Sequence, residues 1–138
     1  MSDSYFADTW YWIALLNRAD AAHDDVVGLY EALENDTIVT SHMVLDEVLS
    51  TFTKAGTAHL RPIAALLVDD LRADPGVVII EQTADQFGAA LSRYKRFHDK
   101  LWSLTDCSSM SIMEQLGITV ALTQDPHFEQ AGFQRRTT

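Results

Sequence analysis

Ala73-Asp74-Pro75-Gly76-Val77-Val78-Ile79-Ile80 runs a turn signal straight into four consecutive β-branched apolar residues. Proline fixes φ and lacks an amide donor, and glycine relaxes the backbone, so no helix continues through this point. The apolar run behind it shows no polar alternation, as expected for a strand covered on both faces, the habit of parallel sheets. Just upstream, Leu60, Ile63, Ala64, Leu67 and Leu71 recur at helical spacing within 59–72. A helix delivered by a tight turn into a buried strand is half of a parallel crossover unit.

The same alternation extends in both directions. Short strands are predicted at 5–7, 37–40 and 118–122, with helices at 9–17 and 22–34, the latter facing inward through Val26, Val27, Tyr30 and Leu33. Ser41 caps a helix whose apolar face is Val44, Leu45, Val48, Leu49 and Phe52. Thr83 to Gln86 forms a capping box ahead of a helix burying Phe87, Leu91, Tyr94 and Phe97. Ser103 to Asp106 repeats the device, and Gly117 ends the helix it opens. Repeated strand–helix order implies an α/β fold with a mostly parallel central sheet wrapped by helices.

With 138 residues, the chain suits a single domain spanning 1–138. At 47% hydrophobic and 22% charged it can build a core, which argues against wholesale disorder. The longest apolar run, 10–16, is far short of the ~20 residues of a membrane helix. No basic patch precedes an apolar stretch at the N-terminus, and a lone Cys107 excludes an internal disulfide framework, so a cytoplasmic location is expected. Twenty acidic against ten basic residues give a formal charge of −10. Binding driven by a basic surface is thereby disfavoured, whereas a metal-bearing nuclease or a basic protein partner is compatible.

In open α/β sheets the working site lies beyond the carboxyl ends of the strands. Asp8 follows the first strand, Asp125 the last, Asp106 opens a helix, and Glu47 lies about a turn into the helix after the second strand. Four converging carboxylates repel one another unless a cation offsets them, and all-oxygen ligation selects a hard ion, Mg2+ or Mn2+. Such ions polarise phosphoryl oxygens and acidify bound water, which points to phosphodiester hydrolysis.

Tyr5-Phe6-Ala7-Asp8-Thr9, Asp46-Glu47, Trp102-Ser103-Leu104-Thr105-Asp106-Cys107 and Ala121-Leu122-Thr123-Gln124-Asp125-Pro126-His127-Phe128 together resemble a PIN domain, most closely the VapC-type toxin ribonucleases. The resemblance implies a PIN-like three-layer α/β/α fold and an acidic quartet at Asp8, Glu47, Asp106 and Asp125. It further implies metal-dependent endonucleolytic cleavage of RNA leaving a 3′-hydroxyl and a 5′-phosphate, a homodimer, and a cognate basic antitoxin that blocks the site. Trp10, following Thr9 where the family often has a small polar residue, is a departure that bears on the pocket wall.

Each candidate also has a plainer role. Asp106 serves equally as the reciprocal acid of a capping box, and Asp125 as a turn residue. Thr105 either orients Asp106 or caps the helix, and Asp46 competes with Glu47 for the inward position. Asp99 is an outer acid or a loop residue. Arg93, Lys95, Arg96 and Lys100 hold four of the ten basic residues within eight positions, an RNA-backbone contact or merely a solvated face, and His98 shares that choice. Trp10, Tyr11 and Trp12 are expected in the core or at an interface, and Cys107 as a small buried hydrophobe. Two rivals remain: a PIN-fold interaction module with weak or no catalysis, and a receiver-like phospho-accepting domain. The second lacks the lysine such a domain needs, since no lysine follows Lys100.

Overall fold

The computed structural model describes residues 2–138. Strands β1 (Ser4–Ala7), β2 (Thr37–Ser41), β3 (Val77–Ile80), β4 (Val120–Leu122) and β5 (Gln134–Arg136) form one sheet in the order β3-β2-β1-β4-β5. Every pairing is parallel, so the sheet is wholly rather than mostly parallel. Between them run α1 (Thr9–Leu16), α2 (His23–Ala32), α3 (His42–Thr51), α4 (Arg61–Ala73), α5 (Ala84–Arg96), α6 (Leu104–Leu116) and α7 (His127–Gln130). The chain steps outward from β1 to β2 to β3, then returns past β1 to β4 and β5. Right-handed crossovers therefore put α1–α4 on one face and α5–α7 on the other, the expected α/β/α layering. Within the layers α1 packs on α2, α3 and α4, and α6 on α5 and α7, while α3 and α6 also meet across the division.

The direction reverses at β1 and β4, and a crevice forms at such a switch point. Its walls are well anchored. Trp12 Nε1 donates to Thr40 Oγ1 at 3.1 Å, and that hydroxyl donates to the Ala7 carbonyl at 3.0 Å, tying α1, β2 and β1 together. Trp12 and Tyr11 are fully buried core residues in edge-to-face contact, with centroids 4.9 Å apart. Burial and the neighbouring Tyr30 push the Tyr11 phenol above its ordinary range. Phe6, Phe52, Met110, Met113, Leu122 and Phe128 complete the centre of the core.

Several expectations are corrected. Val77–Ile80 is not covered on both faces, because β3 pairs only with β2 at the sheet edge and Val78 is 43% exposed. In α2, Leu29 faces inward where Tyr30 was expected, and Leu49 of α3 and Ile63 of α4 lie exposed. On α5, Ala90 alone is buried, while Phe87 and Tyr94 are open to solvent, because α5 packs chiefly on α6. Thr83 accepts from the Gln86 amide, but the return half of that box is absent because the Thr83 amide donates to the Glu81 carbonyl at 3.0 Å. β4 starts at Val120, not 118, since the Ile118 amide closes α6 on the Met113 carbonyl beyond Gly117, whose φ is +69°. Strand β5 and helix α7 were not foreseen, being short and without apolar periodicity. No helix among the described residues is long and apolar enough to cross a membrane.

Candidate active site

Asp8 is the first residue past β1 and is buried. Its amide bonds to the Leu122 carbonyl at 3.3 Å, and its Oδ2 accepts from Thr123 Oγ1 at 2.9 Å. The Thr123 oxygen in turn accepts from the Asp125 amide at 3.0 Å. One hydroxyl past the end of β4 thus fixes both the acid after β1 and the acid after β4. Burial dominates the ionisation of Asp8 and pushes its carboxyl up to about 6, and the negative charges of Asp106 and Glu47 push the same way. Hydrogen bonds from Thr9 and Thr123 oppose the shift without cancelling it.

Asp106 enters from α6. Ser103 Oγ accepts from the Asp106 amide at 3.0 Å, and Asp106 Oδ2 accepts from the Ser103 amide at 3.0 Å, a complete reciprocal capping box. The plainer role of Asp106 therefore coexists with its place in the cluster, since the same box that starts the helix aims the carboxylate. Thr105 is half-buried, and Ser103, not Thr105, orients Asp106. Asp125 Oδ1 accepts from the His127 amide at 2.9 Å, the turn role anticipated for it. His127 Nδ1 then lies 3.1 Å from Asp106 Oδ2 and 3.2 Å from Asp125 Oδ1.

Potential ligand atoms of Asp106, Asp125 and His127 all fall within 4.8 Å of one another. His127 was missed as a site residue by the sequence reading. The available signal was its position two residues after Asp125, where an Asx-type turn folds its ring back over the carboxylate. Glu47 is exposed on α3 yet close enough to bear on Asp8, whereas Asp46 has no such influence. Asp99 is exposed and pairs loosely with Lys100 at 3.8 Å. Trp10 is half-buried against the core.

The basic run divides. Arg93 is tied into α6 through Ser111 and Glu114, which removes it from the free cations. Lys95, Arg96 and Lys100 are exposed. Cys107 is buried, and burial together with Asp106 raises its thiol above the ordinary range.

Among the described residues, none of Asp8, Glu47, Asp106 and Asp125 pairs with a lysine or arginine. Of these, Asp8 and Asp106 are buried, Asp106 with His127 beside it, and a desolvated carboxylate without a cationic partner, as at Asp8, is costly. A donor set of carboxylate oxygens with one imidazole beside it fits a divalent ion such as Mg2+ or Mn2+. The Thr9 hydroxyl, next to Asp8, is also buried without a protein partner.

The PIN-domain family description matches residues 5–134. Over 128 residues the chain is 30% identical to the 23S rRNA-specific endonuclease VapC20 of Mycobacterium tuberculosis, covering 93% of this chain and 94% of that protein. The crystal structure of VapC20, described as a sarcin–ricin loop cleaving toxin, is similar with a TM-score of 0.81 and 28% identity, over 94% of this chain and 95% of that chain. VapBC2 from Rickettsia felis, solved bound to a DNA fragment from their promoter, shares the fold at 17% identity. Its TM-score is 0.67, over 96% of this chain and 97% of that one.

Proposed function

The chain belongs to the PIN-domain family, and from that premise we propose that it is a metal-dependent endoribonuclease acting as the toxin of a toxin–antitoxin pair. The observation that carries this reading is the gathering at the β1/β4 switch point of carboxylates that, among the described residues, no lysine or arginine neutralises. Asp8, Asp106 and Asp125, with Glu47 at the edge, are the residues proposed to hold Mg2+ or Mn2+. When bound, such an ion supplies Lewis-acid polarisation of the phosphoryl group and acidifies water.

The protein's own part is positioning. Thr123 and the Thr9 amide hold the Asp8 carboxylate, and Ser103 with His127 holds one oxygen of Asp106. In-line attack of water on phosphorus with departure of the 3′-oxygen, the polarity that the family likeness supports, gives a 3′-hydroxyl and a 5′-phosphate. Because VapC20 acts on 23S rRNA, a stem-loop carrying the sarcin–ricin sequence is the first substrate to offer. A cognate basic antitoxin and a homodimer complete the proposal, both favoured by the net charge of −10 or by family likeness.

The test is incubation of purified protein with total cellular RNA and with that stem-loop, in Mg2+, in Mn2+ and in EDTA, beside Asp8→Asn. Discrete fragments that require metal and vanish in the variant are expected. A folded, metal-loaded protein that cuts neither RNA, or an Asp8→Asn variant as active as its parent, would sink the proposal.

A further inference from the structure

A cavity of about 440 Å³ opens between the last turn of α5 and the loop that leads into α6. Its walls are aromatic and its rim is cationic. Phe97 and Trp102 stand with centroids 5.0 Å apart at a tilt of 43°. Trp102 is held by its Nε1 donating to Gln130 Oε1 at 3.0 Å, and Phe97 lies under the guanidinium groups of Arg93 and Arg96 at 5.9 and 5.1 Å. These walls are therefore rigid before anything binds. At the rim, Tyr94 is 52% and Leu101 89% exposed, apolar surface left in water beside Lys95 and Lys100. Neither lysine has a close ion pair, the Asp99 contact of Lys100 being 3.8 Å long.

Cys107 lines the same cavity and directly follows Asp106 in α6. Successive side chains on a helix diverge by about 100°, so an occupant sits on the face of α6 next to the one that carries Asp106 rather than against the carboxylates themselves. The chain's surplus of acidic residues repels a polyanion over most of its surface, so this cationic rim is the favourable landing place. A-form duplex hides its bases in a deep, narrow groove, whereas unpaired bases are recognised by stacking on aromatic rings with cations on the backbone.

We propose that this cavity is a nucleobase subsite: it receives one unpaired base of the RNA substrate, stacked on Tyr94 at the mouth, with Lys95 and Lys100 on the flanking phosphates. It anchors an unpaired segment on the helix that carries Asp106, and so favours looped over paired RNA. The inference rests on the ribonuclease reading for the identity of the ligand.

The experiment measures affinity in EDTA, where no cleavage occurs, and separately KM and kcat in Mg2+. The probes are the sarcin–ricin stem-loop, a blunt RNA duplex and total cellular RNA, with the full chain and its Tyr94→Ala, Tyr94→Phe and Lys95→Ala/Lys100→Ala variants. Tyr94→Ala is expected to weaken looped-RNA binding about tenfold and raise KM in step, with kcat kept, duplex binding unmoved and Tyr94→Phe near normal. The double lysine variant should flatten the salt dependence by roughly 0.7 per lysine in the log–log slope.

Unchanged affinity and KM in Tyr94→Ala, or no binding of any probe by the parent, overturns the subsite. So does a loss of affinity that sedimentation traces to a change in oligomeric mass, because Tyr94 would then join two copies. A parent that binds looped RNA through Tyr94 in EDTA but cuts nothing in Mg2+ or Mn2+ keeps the subsite and overturns the nuclease. A parent that cuts RNA with Tyr94→Ala indistinguishable from it does the reverse.

Discussion

Asp8 is a carboxylate whose environment disfavours its charge, and its consequences can be measured without a substrate. Its folded value of about 6 exceeds the ordinary 3.8, so between those two pH values the folded protein binds more protons than the unfolded chain. The stability contributed by Asp8 is therefore full below about 3.8, falls as pH rises towards 6, and is lost above that. In EDTA, Asp8→Asn should remove this part of the pH dependence and stabilise the protein near pH 7 by about 1–3 kcal/mol, read by denaturant melts from pH 4 to 8. A melt profile identical to that of the parent would show that the buried charge is offset elsewhere. Thr123 makes a separate case, because its hydroxyl serves Asp8 and the Asp125 amide together. Thr123→Val should keep the fold by circular dichroism while lowering Mn2+ affinity or kcat about 10–100-fold, the usual effect of losing a partner that orients a ligand. Asp8, Asp106 and Asp125 could be proposed from the sequence because each follows a strand or opens a helix, whereas Glu47, inside α3, was preferred to Asp46 only by the family resemblance. His127 could not be proposed, since its role depends on a ring folding back across a turn, which no periodicity records.

At the scale of elements, the caps were the most readable features and also those nearest the chemistry. Ser103 starts α6 and aims Asp106 through the same pair of hydrogen bonds. Ser103→Ala should therefore lower stability by about 1 kcal/mol and also reduce cleavage, whereas an ordinary cap loss affects stability alone. A melt and a kcat measurement on one preparation separate the two. Gly117 was equally legible, as a helix stop with a left-handed backbone. What escaped was set by neighbours rather than by local pattern. Val77–Ile80 reads as a buried central strand, yet it is an edge, because edge position depends on which strands arrive beside it. The helical period of α5 was correct, but Phe87 and Tyr94 face solvent because that helix packs chiefly on α6. β5 carries Gln134-Arg135-Arg136 and is held by its ladder to β4 and by polar contacts of its arginines, such as Arg136 with Tyr5, so hydrophobic pattern could not announce it.

Over the whole molecule, the acid surplus and the carboxylates at the switch point, which no described lysine or arginine neutralises, belong together. A site strained by its own charge gains most from a bound cation. Mn2+ at about 100 times its dissociation constant should raise unfolding stability by about 2.7 kcal/mol, several degrees in a thermal melt, with little gain in Asp8→Asn. A parent melt indifferent to Mn2+ and Mg2+ would contradict the fit of the donor set. The sheet that builds the site is joined at its middle by a short seam: Phe6 and Ala7 pair with Ala121 and Leu122, and Thr123 reaches Asp8 across 115 positions of chain. A break in the exposed link between β3 and α5 would leave β1–β3 with Asp8 and Glu47 on one piece, and β4 with Asp106, Asp125 and His127 on the other. The proposed ligands are then divided, Asp8 and Glu47 from the cluster of Asp106, Asp125 and His127, and each piece exposes half of the seam. The molecule is thus built as a two-part lock, and RNA cleavage restored by mixing two inert fragments would register their encounter.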